Sequence, residues 1–128
     1  MKRVPAKFLN ADLELKSRAN LGALERAWVN RVIPIHTGKW GRRQWLRLEL
    51  IRQPRTPAEA VAGFSRLVAS LRGRGRVLWT RAAKELDIGV QASVGHRAAE
   101  WLIEPKLIRA AARMEVSVRI TVYAPESE

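Results

Sequence analysis

Four carboxylates in alternating segments have the spacing closest to chemistry. Asp12 and Glu14 flank Leu13, Glu49 sits between Leu48 and Leu50, and Asp87 sits between Leu86 and Ile88. Residues two apart on an extended chain share a face, so neighbouring strands would gather these carboxylates beside Arg47 and Arg119. Paired carboxylates do general acid–base work or hold a metal ion. Cross-strand charge pairs on a wetted sheet use the same residues structurally, and this reading is preferred because no histidine joins them. His36 and His96 are far apart in the chain, and Ser93 with His96 three residues on is too short a spacing to mark a catalytic triad. Neither set has metal-ligand spacing. The expectation is a protein that is not an enzyme, with no cofactor and no metal.

Two basic segments suggest binding. In Lys39-Trp40-Gly41-Arg42-Arg43-Gln44-Trp45, cations alternate with aromatics. Arg grips phosphate with two parallel donors and Trp stacks on a base, a combination suited to single-stranded nucleic acid. A hairpin whose tryptophans pack on a sheet edge would have the same sequence, and that reading is preferred for Trp45. The second segment is Arg72-Gly73-Arg74-Gly75-Arg76. Glycine lets backbone amides approach a phosphate while the arginines neutralise it. Gly and Arg at that place also close a helix, as a C-terminal cap and a partner for the dipole. Lys39, Trp40, Arg42, Arg43, Arg72, Arg74 and Arg76 are the candidate binding residues.

These residues need elements to position them. Period-two alternation predicts strands at Leu9–Lys16, Trp45–Leu50, Leu86–Ala92 and Val116–Tyr123, with a weaker one at Arg31–His36 interrupted by Pro34. Thr56-Pro57-Ala58-Glu59 is a helix start with a capping box and Pro at the first helical position. The helix carries Val61, Phe64, Leu67, Val68 and Leu71 on one stripe and should end near Arg72-Gly73. Further helices are predicted from Asn20 to Asn30, from about Arg76 to Glu85, and from Pro105. The resulting order, β-α-β-β-α-α-β-(β)-α-β, is an α+β fold. Residues 1–128 form a single domain with a mostly antiparallel sheet and helices packed on one face. The β-α-β at each end suggests an internal pseudo-repeat. Trp28, Trp79 and Trp101 fall on predicted elements and read as core or dimer-interface residues.

Charge and composition bound the partners. The 128 residues carry 24 Lys and Arg against 12 Asp and Glu, a net charge of +12. That field attracts polyanions, although an Arg-rich composition alone would also produce it. The absence of Cys removes disulfides, thiolate catalysis and cysteine-held metals. No apolar run is long enough for a signal peptide or a membrane span, so a cytoplasmic protein without membrane contact is expected.

The stretch Trp101-Leu102-Ile103-Glu104-Pro105-Lys106-Leu107-Ile108, the Ala-rich helix after it and Val116–Tyr123 resemble the ending of a bacterial domain-of-unknown-function family. Its members have a Gly-x-x-Trp loop before a central strand. Gly41-Arg42-Arg43-Gln44-Trp45 and Gly38-Lys39-Trp40 stand at the comparable place, with different spacings. The resemblance implies a small α+β protein with an interaction or immunity role. The expected function is therefore a non-enzymatic binding module whose partner is a protein or a polyanion. It would bind through the polar sheet face and the Lys39–Trp45 loop. The alternative is weakly sequence-specific nucleic-acid binding by the two basic segments. An exposed strand edge at Val116–Tyr123 would allow a homodimer.

Overall fold

The computed structural model describes residues 2–125, except for the side chain of Trp40. The strands are β1 (Lys7–Ser17), β2 (Val32–Trp40), β3 (Arg43–Leu50), β4 (Ala83–Gln91) and β5 (Ser117–Tyr123). The helices are α1 (Gly22–Ala27), α2 (Pro57–Ala69), α3 (Gly73–Arg81) and α4 (Pro105–Met114). The strands form one open sheet in the order β2-β3-β1-β4-β5. Three pairings are antiparallel, and β4 with β5 is parallel. This is the α+β class expected from the alternation. No helix among the described residues is long and apolar enough to cross a membrane.

Alternation places the core on one face of the sheet. Ala11, Leu13 and Leu15 of β1 pair with Ile88, Leu86 and Lys84 of β4, and Leu13 and Leu15 pair with Leu48 and Leu46 of β3. The leucines and Ile88 are buried against Val61, Phe64, Leu67 and Val68 of α2. Thr56 Oγ1 accepts from the Glu59 N–H at 3.1 Å, which starts α2 where the capping signal predicts. Gly63 lets β3 press close to this helix. A Cβ there would lie 2.5 Å from Leu50 Cδ1.

Several expectations change. Leu9 is the odd residue of a bulge between Phe8 and Asn10, so Phe8 rather than Leu9 packs on the core. Pro34 does not end β2, which is an edge strand with its own bulge between Pro34 and His36. The bracketed extra strand is only an isolated bridge between Val4 and Val94. The Arg72–Arg76 segment is the beginning of α3, because α2 already stops at Ala69. On α3, Val77 is exposed, whereas Leu78 and Trp79 are buried. Trp28 and Trp79 meet edge to face in the core, with ring centroids 5.9 Å apart. Trp101, expected on an element, lies in a segment with no regular structure and is exposed. Of the two βαβ-like units, β4-α4-β5 is a true parallel crossover. In β1-α1-β2 the strand β3 lies between the two ends, so the pseudo-repeat is not kept in the pairing.

Candidate functional site

The face of the sheet away from the core gathers the predicted carboxylates. Asp12 pairs in register with Glu49 on one side and Asp87 on the other, and Glu14 with Arg47 and Glu85. Arg47 reaches across three strands. Its Nε is 3.1 Å from Asp12 Oδ2, Nη2 is 2.9 Å from Asp87 Oδ2, and Nη1 is 3.8 Å from Glu14 Oε2. Thr121 Oγ1 donates to Asp87 Oδ1 at 2.8 Å. Arg119 is bonded to Glu85, and Lys16 lies 3.5 Å from Glu14. Each of these cations is therefore paired, and Asp12, Glu14, Glu49, Glu85 and Asp87 outnumber them. Arg47 and Arg119 are thus committed to carboxylates of their own chain rather than offered to an anion.

No group of three or more His, Cys, Asp or Glu among the described residues could hold a metal ion. His36 lies opposite Arg47 but stacks on Trp45, with centroids 4.3 Å apart at a 46° tilt. Trp45 is thus half-buried on the sheet, as the hairpin reading predicts. Its Nε1 and Asp12 Oδ1 are buried without a hydrogen-bond partner.

Burial pushes the Asp12 carboxyl up from 3.8 to about 6, against the pull of Arg47 and with a further push from Glu49. Glu85 goes the other way, because the hydrogen bond from Arg119 holds it below its ordinary value. For Asp12, the native state binds a proton more readily than the unfolded chain between about pH 4 and pH 6, so its contribution to stability falls as pH rises through that window. Asp12→Asn should therefore match the parent near pH 4 and be more stable at pH 7. The gain should be about 1–2 kcal/mol after allowance for solvent screening. Urea unfolding of both proteins between pH 4 and pH 7.5 checks this, and an unchanged difference across the range would refute it.

The basic segments do not act as two loops. Lys39, Arg42 and Arg43 are exposed around the β2–β3 turn, where Trp40 pairs with Arg43 and Gly41 takes a φ of 61°. The side chain of Trp40 lies outside the described residues. Arg72 and Arg76 are exposed but fold back onto backbone carbonyls. Arg72 Nη1 donates to the carbonyls of Ala69 and Leu71 at 2.9 and 2.8 Å. Arg76 Nη1 donates to the carbonyl of Val68 at 3.2 Å. These carbonyls lie at and just beyond the end of α2, so both arginines cap it in the manner that competes with phosphate binding. Arg74 alone of the three is exposed without a partner among the described residues.

A different set of arginines converges. The chain leaves β3 through residues 51–55 and returns along α2, enclosing an open cleft of about 730 Å³. Arg31, Arg52, Arg55 and Arg66 line it. Arg31 Nη1 donates to Ser70 Oγ at 3.1 Å. The side chains of Arg52, Arg55 and Arg66 have no hydrogen bond or ion pair among the described residues. Glu59 is the one carboxylate of the lining, and its Oε2 accepts from the Arg55 backbone N–H at 2.6 Å. No aromatic side chain lines the cleft.

Reasoning on the sequence missed this cleft. Arg52 and Arg55 stand just before the capping box, but Arg31 and Arg66 join them only through tertiary packing. No protein-family model matches the chain, and no curated protein or solved structure matches it.

Proposed function

We propose that the chain is a non-enzymatic cytoplasmic binding module for the phosphate backbone of nucleic acid, held in the Arg31–Arg52–Arg55–Arg66 cleft. The observation that carries this reading is the convergence of four arginines, three of them unpaired, on one open cleft. Guanidinium groups suit phosphate because they donate two parallel, charge-assisted hydrogen bonds. The net charge of +12 steers polyanions towards the protein, and the central arginines of the sheet face are already paired with carboxylates. With no aromatic in the cleft to stack on bases, binding is nearly indifferent to sequence. The seat thus moves from the two basic segments to the cleft, leaving Lys39, Arg42, Arg43 and Arg74 as peripheral cations.

Fluorescence anisotropy with labelled single-stranded and duplex oligonucleotides, repeated across a salt series, tests the reading. Four phosphates at about 0.7 counterions each give a log–log slope of roughly −3 for a single strand. Arg52→Ala combined with Arg66→Ala should weaken binding about tenfold or more and reduce the slope by about 1.4. Arg72→Ala combined with Arg76→Ala should leave the slope unchanged. If binding disappears before physiological salt, or the cleft variant binds like the parent, the reading fails. The charge then serves solubility, and the expected protein partner becomes the object of search.

A further inference from the structure

The two edges of the sheet are built differently. The edge at β2 has Pro34 and a bulge, both of which discourage another strand from pairing there. The edge at β5 has neither. It pairs in unbroken register with β4 on one side and, among the described residues, with no strand on the other. Its single charged residue, Arg119, is committed to Glu85 of its own chain.

The core-side residues of β5 are also uncovered. Val118, Ile120 and Val122 pair with the buried Leu86, Ile88 and Val90 and share their face. Yet they are 44%, 63% and 63% exposed, because the helical layer stops short of them. On the neighbouring α4, Met114 is buried but Ile108 is 59% exposed. A strip of β-branched side chains beside an open strand edge is surface that soluble proteins cover.

We infer that a second copy of this chain covers it, by antiparallel pairing of β5 with β5 about a twofold axis at Ile120. The sequence Ser117-Val-Arg-Ile-Thr-Val-Tyr123 is self-complementary in that register. Ile120 faces its own copy, Val118 faces Val122, Arg119 faces Thr121 and Ser117 faces Tyr123. Like charges never stand directly opposite, and apolar residues meet apolar residues on the core side. The same rotation keeps both helical layers on one side of a continuous ten-stranded sheet and brings the two copies of Ile108 towards the shared strip. The contact is isologous, so it closes at two subunits.

This inference is independent of nucleic-acid binding, and salt separates the two. Two chains of +12 repel one another, so the dimer tightens as salt rises, whereas oligonucleotide binding weakens. Sedimentation velocity over a protein concentration series, at low salt and at about 0.3 M, should show a species of twice the 14.5 kDa chain mass that increases with salt. Ile120→Lys places two ammonium groups together at the axis and should raise the dimer dissociation constant about a hundredfold or more. The exposed position of Ile120 leaves the monomer fold intact, which a thermal melt of the variant verifies. Ile120→Cys introduces a single thiol and should cross-link dimers on air oxidation, because directly opposite strand residues lie within disulfide reach. Ile35→Cys on the guarded edge should not. A protein that stays monomeric at high concentration and high salt overturns the inference, as does an Ile120→Lys variant that still dimerises.

Discussion

Trp28→Ala should lower the unfolding free energy by about 3–5 kcal/mol, the range for deleting a buried aromatic ring. Trp28 is fully buried just after α1, its ring meets Trp79 of α3, and its Nε1 donates to the Leu67 carbonyl at 3.2 Å. One side chain thus joins three helices. With six residues, α1 is too short to persist without that anchor. The substitution opens a cavity and loses the edge-to-face contact and the indole hydrogen bond, although the Leu67 carbonyl keeps the Ser70 N–H and Oγ as donors. For a domain of this size the melting temperature should fall by about 10–20 °C. Urea unfolding with an unchanged m-value measures the loss, and Trp28→Phe should recover part of it. A loss below about 1 kcal/mol would mean that the α1 region is not anchored through this ring.

Arg47→Met should cost about 2–4 kcal/mol at pH 7, somewhat below the range for a fully buried pair because the guanidinium is partly accessible. The aliphatic stem is kept, so the loss reports the charge. Without Arg47, Asp12, Glu14 and Asp87 face one another across β1 and β4 with their shared cation gone. Loss of the Arg47 pull must raise the Asp12 carboxyl further from its value of about 6, so the difference from the parent should shrink as pH falls through 6 and Asp12 protonates. Adding Asp12→Asn to Arg47→Met should restore part of the stability at pH 7, because it removes the carboxylate already raised to about 6. A pH-independent cost would show that Arg47 acts through packing rather than charge.

Local patterns were legible wherever one residue's neighbours in sequence decide its environment. The alternation Leu46, Leu48, Leu50 marks β3 because its period matches the pleat, and Thr56 to Glu59 marks the start of α2 because the cap closes on itself. The Arg72–Arg76 segment was ambiguous. Both its readings are local, and only the distances to the carbonyls of Val68, Ala69 and Leu71 decided in favour of capping. At Leu9 the alternation misled, since a bulge inserts a residue without altering local composition.

By itself, the sequence determined the α+β class, nearly the whole order of elements, the inward leucines other than Leu9 and the excess of positive charge. Each follows from periodicity, capping or composition, properties that a segment has before it packs. The tertiary structure alone decided which charges meet. Strand order put Asp12 between Glu49 and Asp87 with Arg47 spanning them, and the return of α2 past β3 brought Arg31 and Arg66 to Arg52 and Arg55. It also decided that Val118, Ile120 and Val122, with the same alternation as a covered strand, stand at an open edge. The reason is physical: alternation states which side chains share a face, whereas coverage of that face depends on contacts between segments distant in the chain.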